Sequence, residues 1–192
     1  ASGMSTWTDQ SGNGHNATRS SGTAAVAPNS VNGLPAIQFR SNPLADISGS
    51  MFVKEQYIVW SLPNSGDWGA ALGSTGTRSG YMMNPNGSFW DQNYPVAVRQ
   101  NGGSYLNPNY QLSSIGTFMV LKVTGNSWDP NVRSGWRLCR TEGWNGTDMN
   151  LAEIIGYNRP LTGDEENMVG GYMALKYGIN AAYGYLNETG RQ

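Results

Sequence analysis

The chain has 192 residues, a formal net charge of −1 and only 13% charged side chains. So weak a charge excludes the clustered Lys and Arg of an electrostatic nucleic-acid surface. No run of about 18 apolar residues offers a membrane span, and no basic start followed by an apolar core marks a signal peptide. Cys139 is the single cysteine; it rules out an internal disulfide framework and a cysteine-based zinc site, and reads as a small buried hydrophobe. At this length roughly 70% of the unfolded chain's surface can be buried, enough for one core without a disulfide or metal.

The first motif is Trp7-Thr-Asp9-Gln-Ser11-Gly12-Asn13-Gly14-His15-Asn16-Ala17-Thr18, a turn-rich opening that leads to a strand at Asn32 to Phe39. Five Asn-Gly pairs follow one another, at Asn13, Asn32, Asn86, Asn101 and Asn145. Asn-Gly suits the φ > 0 positions of tight hairpins, so each is expected to reverse an antiparallel strand. Lys54 to Leu62 alternates Ile58, Trp60 and Leu62 against Tyr57, Val59 and Ser61, the period of a strand with two distinct faces. Thr117 to Thr124 is apolar on both faces for most of its length, which predicts a central buried strand; Ser134 to Arg140 alternates less strictly and reads as a strand of a curved sheet.

Leu151 to Tyr157 is a further strand, stopped at Asn158-Arg159-Pro160 by a residue that cannot donate to a ladder. Thr162 and Glu165 then form a capping box, Asp164 to Glu166 sit at the positive end of the helix dipole, and Gly178 supplies the stop. The helix over 162–177 carries Gly170-Gly171, which costs about 1 kcal/mol each relative to Ala. These elements predict an all-β fold: a two-sheet antiparallel jelly-roll sandwich with one short C-terminal helix covering a sheet edge or end. The apolar tail from Ala181 to Tyr185 is expected to lie against something.

Three segments together, the W-x-D-x-S-G-N-G opening, Gly33-x-Pro35-Ala-Ile-Gln-Phe39 and the Ala152-Glu-Ile-Ile-x-Tyr-Asn-Arg closing strand with its helix, resemble concanavalin A-like lectin/glucanase domains of the laminin-G-like type. Such modules are common in bacterial surface proteins and phage structural proteins. The resemblance is specific at both ends, and Pro63 to Arg140 matches only as strands and turns. It implies a single domain over residues 1–192. Members of the family usually open with one more strand, of the type L-W-L-D-A. It is missing here, so the expectation is a fragment, or a domain whose first strand comes from elsewhere.

Because the family includes glucanases, paired carboxylates are the first test: glycoside hydrolysis needs two about 5 to 9 Å apart across the scissile bond. Asp164 and Glu166 are the only acids two apart, at a helix start, and Asp148 and Glu153 straddle a loop-to-strand boundary. No strand carries a catalytic pair, so no enzyme is expected. His15, the sole histidine, reads as a turn residue, exposed or bonded to backbone; no G-x-S-x-G elbow supports a triad. One His and one Cys leave a transition metal without ligands. The resemblance leaves Ca²⁺ open, with Asp9, Asp148 and Asn150 as oxygen donors, and no other cofactor is expected. Glu153 is expected to pair with a basic neighbour such as Arg159.

What remains is surface for neutral polar ligands. Trp68, Trp90, Tyr94, Trp128 and Trp144 fall in turn-rich segments beside Asn, Asp and Ser, where rings can stack on a sugar's apolar face while amides bind its hydroxyls. Tyr105 and Tyr110 are similarly placed, whereas Trp7 and Trp60 read as core. The resemblance implies a non-catalytic carbohydrate-binding module that is extracellular or on a virion surface, with a cell-surface glycan as partner. The competing expectation is a structural domain of a particle or surface assembly, docking other subunits through the Ala181 to Tyr185 tail or the uncovered first-strand position.

Overall fold

A computed structural model describes residues 3–63, 71–74, 82–83, 89–90, 97–105, 116–124, 133–140 and 145–184. Eleven strands and one helix follow in chain order: β1 Thr6–Trp7, β2 Ala17–Val31, β3 Leu34–Met51, β4 Glu55–Ser61, β5 Leu72–Ser74, β6 Met82–Met83, β7 Phe89–Trp90, β8 Ala97–Gln100, β9 Met119–Thr124, β10 Arg133–Leu138, β11 Met149–Tyr157 and α1 Gly163–Tyr177. Every strand pairing is antiparallel. The fold is therefore all-β with a single helix.

The main sheet runs β1-β2-β3-β11-β4-β9-β8, with β10 joining β3 to β5. The long β2-β3 hairpin shapes it. Asn32 and Gly33, at φ 48° and 75°, make the tight reversal that Asn-Gly favours. Farther along, Ser41 and Asn42 are both left-handed, and the register with β2 slips around Ser21. β3 consequently changes partner: Ile37 to Phe39 pair with β11, while Ala45 to Met51 pair with β10. One cluster of buried side chains draws on both halves: Ile37 and Phe39 with Trp60, Leu121 and Leu151, and Ala45 with Leu72, Trp136 and Leu138.

β4 and β9 are buried along almost their whole length, which explains why their sequences lack a polar face. Ile58, Trp60, Met119, Leu121 and Val123 enter the main core; Tyr57, Val59 and Val120 point the other way, against Met173, Ala174 and Tyr177 of α1. The expected alternation in β4 is present. The expected position of the helix is not: α1 covers the face of β4 and β9 instead of a sheet edge or end, because a second apolar face has to be shielded from water. Its termini form as the sequence dictates. The Thr162 hydroxyl accepts from the Glu165 N–H, Glu165 bonds back to the Thr162 N–H, and Gly178 closes the last turn at φ 61°.

Not every Asn-Gly is a hairpin. Asn101-Gly102 is left-handed at both positions and turns the chain after β8, but neither Asn145 nor Gly146 has φ > 0. Gly146 is required for a different reason: a Cβ there would lie 2.0 Å from the Pro43 carbonyl oxygen, and its N–H donates to Asn42 Oδ1. Asn86 lies outside the described residues.

The tail folds onto its own domain. Ala181 and Tyr183 pack with the helix-side cluster, and the Ala182 N–H donates to the Asn101 carbonyl at 2.7 Å. As far as Gly184 the tail therefore finds a contact within the chain; Tyr185 lies outside the described residues. Gly170 permits this, since a Cβ would sit 2.2 Å from the Tyr183 ring. Gly170→Ala should destabilise the protein by about 1 to 3 kcal/mol, although Ala is the better helix former. In urea unfolding, Gly170→Ala should become neutral or stabilising when combined with Tyr183→Ala, which removes the ring that the methyl strikes.

Candidate functional site

Two places in the described structure concentrate chemistry, one enclosed and one open. The enclosed one lies between α1 and the sheet. Lys122, at the centre of β9, is 2% exposed, and its Nζ meets Glu166 Oε2 at 2.7 Å and Glu55 Oε1 at 3.4 Å. Arg99 from β8 reaches Glu166 Oε1 at 2.5 Å. Tyr105 covers the group: its hydroxyl lies 3.0 Å from Lys122 Nζ and 3.2 Å from Glu166 Oε2, and the Arg99 guanidinium stacks 5.0 Å from its ring centre.

The remaining valences are filled as well. Glu55 accepts from Thr124 Oγ1 and from the Leu161 N–H; Arg99 donates to the carbonyls of Gly102 and Gly103. Burial opposes the charges on Lys122 and Arg99, but the bonds to Glu166 outweigh it, so both cations hold their protons above the ordinary range. Two cations and two anions thus balance without solvent. Glu55 and Glu166 do come close, as a hydrolase pair would, yet Lys122 stands between them and both are buried, at 3% and 5% exposed. The geometry fastens helix to sheet.

The sequence held only a faint trace of this cluster. Glu166 was legible as an acid at a helix N-terminus and Lys122 as one polar residue inside an apolar strand. A lysine with both faces of its strand buried must find an anion, but the partners sit 44 and 67 residues away along the chain, beyond any local pattern. Glu153 likewise finds a partner the sequence did not suggest. It pairs with Lys176 at 3.1 Å, while Arg159 pairs with Glu165 at 2.6 Å. β11 aims Glu153 at the helix face, and the capping carboxylate is nearer to Arg159.

The open place is a cleft of about 730 Å³ between β1, the end of β3, β10 and β11. Its mouth is polar: Gln10, Ser11 and Asn13 on one lip and Asn158 on the other, with Trp7, His15, Phe52 and Tyr157 half-buried beside them. Its inner wall is apolar, made by Ile47, Met51, Val53, Leu72, Leu138 and Ile154. Trp7, expected in the core, only leans on the core's edge and turns part of its surface to the cleft. Trp60, by contrast, is buried as expected.

Asp9 builds the lip. Its carboxylate accepts from the Ser11 N–H at 2.9 Å, the Ser11 hydroxyl at 2.8 Å and the His15 N–H at 3.0 Å, and the Ser11 N–H does most to hold its pKa down at about 2. His15 Nδ1 donates to the Ser48 carbonyl at 3.0 Å, the backbone-bonded turn role expected for it. Asn150 is equally engaged, its Oδ1 taking Arg40 at 2.6 Å and its Nδ2 giving to Ser61. Asp148 lies just before β11. Among the described residues no three His, Cys, Asp or Glu side chains gather where a metal ion could be held.

Of the aromatic residues singled out for sugar binding, Trp68, Tyr94, Trp128 and Trp144 lie outside the described residues, as does Tyr110. Trp90 is placed in β7, opposite Met82. Cys139 is fully buried, and burial pushes its thiol well above the ordinary range, which suits an inert packing residue. No helix among the described residues is long and apolar enough to cross a membrane.

Lys122→Met should cost about 3 to 5 kcal/mol in urea unfolding, because it strands the buried Glu55 carboxylate without a cation and leaves Glu166 with Arg99 alone. Glu166→Gln should destabilise as well, because its single amide oxygen can accept from only one of Arg99 and Lys122 and its NH2 then faces the other cation. No family model, no curated protein and no solved structure matches this chain.

Proposed function

We propose that this chain is a non-catalytic glycan-recognition module with a concanavalin A-like, laminin-G-like jelly-roll fold, displayed on a phage particle or bacterial surface. The observation that carries the glycan reading is the mouth of the cleft, where the rings of Trp7, Phe52 and Tyr157 lie among the amides and hydroxyl of Gln10, Asn13, Asn158 and Ser11, with no Lys or Arg in its described lining. Rigid rings beside neutral donors and acceptors suit a sugar, which has an apolar face and a hydroxyl rim. The state of the acids supports the absence of catalysis: Glu55 and Glu166 are committed to Lys122, and Asp9 to its own loop. Placement on a particle or cell surface rests on the sequence resemblance, and display in many copies would raise a weak affinity.

A second reading, a structural module that docks another polypeptide, is favoured by one feature. The inner wall of the cleft is apolar, and β11 borders it with an edge that no described strand covers beyond Leu151.

The test is binding of the multivalently displayed domain to an array of neutral and acidic bacterial polysaccharides, with and without EDTA. Saturable binding should fall at least about tenfold, about 1.4 kcal/mol, when Asn13→Ala and Asn158→Ala are combined. Loss on Trp90→Ala, Trp128→Ala or Trp144→Ala instead would move the site to those turns, and EDTA sensitivity would add a cation. Absence of binding by folded protein would overturn the glycan reading.

A further inference from the structure

β11 is hydrogen-bonded to β4 from Asn150 to Tyr157, but to β3 only from Met149 to Leu151. The register with β4 slips between Leu151 and Glu153, and past this bulge β11 has no second neighbour among the described strands. The cleft lies against that stretch. Six consecutive residues, Glu153 to Asn158, line it, although their side chains alternate: Ile154 faces the main core, whereas Ile155 and Tyr157 face the helix and Glu153 reaches Lys176. A cavity that meets a strand's face touches every second residue. One that touches every residue meets the strand's edge, with its row of backbone donors and acceptors.

We propose that the inner cleft is a strand-acceptor groove, which takes an extended segment of a partner polypeptide hydrogen-bonded to β11 over 153–157 with alternate apolar side chains against Met51, Leu138 and Ile154. The open edge selects the occupant. Backbone groups that no described strand pairs, flanked by apolar walls, are satisfied by another strand and not by a helix or a compact apolar molecule. Five residues of edge span about 17 Å, a usual strand length. Gly156 is exposed, so no side chain of its own covers the middle of this edge. This inference rests on the structural reading and gives it its partner; the groove meets the polar mouth of the glycan reading at Tyr157.

The probe is a blocked heptapeptide of alternating Thr and Val, with a control carrying Pro in place of the central Val, added to ¹⁵N-labelled domain. In the free domain the amides of 153–157 that point away from β4 should exchange rapidly. The Thr-Val peptide should shift their resonances and slow exchange at least about tenfold, and the proline peptide should not. Edge amides already protected in the free domain, an equal response to both peptides, or a response to neither would overturn the proposal, as would concentration-dependent dimerisation that protects the same amides without peptide. Glycan binding measured on the domain without peptide separates the two readings, since its presence or absence there does not depend on whether the groove takes a strand.

Discussion

A lysine placed at the centre of a buried strand constrains the whole arrangement. Lys122 cannot reach water, so its charge must be answered inside the protein. Glu55 answers it from the adjacent strand and Glu166 from the first turn of α1, and Arg99 balances the second carboxylate. An apolar contact would tolerate sliding, but this set of directional bonds fixes where the helix begins relative to β4, β8 and β9. With the start of α1 held, Met173, Ala174 and Tyr177 fall over Tyr57, Val59 and Val120, and Gly170 comes under Tyr183. A buried ionic cluster often adds little net stability compared with a well-packed apolar core. Its contribution here is to set one position for the helix, with a large penalty for losing any single member.

The same economy of charge shapes the opposite side of the sheet. The described acids that line the cleft are tied up, Asp9 in its own loop and Glu153 with Lys176, and the rest of the lining is rings, amides, hydroxyls and an apolar wall. Its mouth and its inner wall differ in chemistry because they come from different parts of the fold. The lip is a self-bonded loop whose polarity is satisfied locally; the inner wall is core that the strands do not close over.

Features fixed by neighbouring residues were legible in the sequence. The Thr162–Glu165 capping box, the Gly178 stop, the Asn32-Gly33 hairpin and the two faces of β4 depend on spacings of a few residues, and the structure has them. Features that depend on distant pairing were not. The length of β2 and β3 was hidden because Asn29, Ser41 and Asn42, with φ between 53° and 63°, read as turn residues although they bend continuous strands. The position of α1 on a sheet face follows from apolar residues on the outer side of β4 and β9, Tyr57, Val59 and Val120, whose partner on the helix is more than 50 residues away. Asn145-Gly146 matched the turn pattern for a different cause, the close approach of Pro43. For the candidate site, Asp9, Ser11 and Asn13 were legible as one turn-rich motif and not as ligand-binding residues, and their association with Phe52, Tyr157 and Asn158 arises only when the strands fold together.

Native-state hydrogen exchange tests most directly whether the ionic cluster joins helix and sheet into one cooperative unit. Amides of 169–174 in α1 and of 57–60 in β4 should open with the same free energy and the same denaturant dependence in the wild-type protein. If the helix amides instead exchange by a separate, lower-energy opening while β4 stays protected, the cluster does not fasten α1 to the sheet, and the account of how this fold is held is wrong.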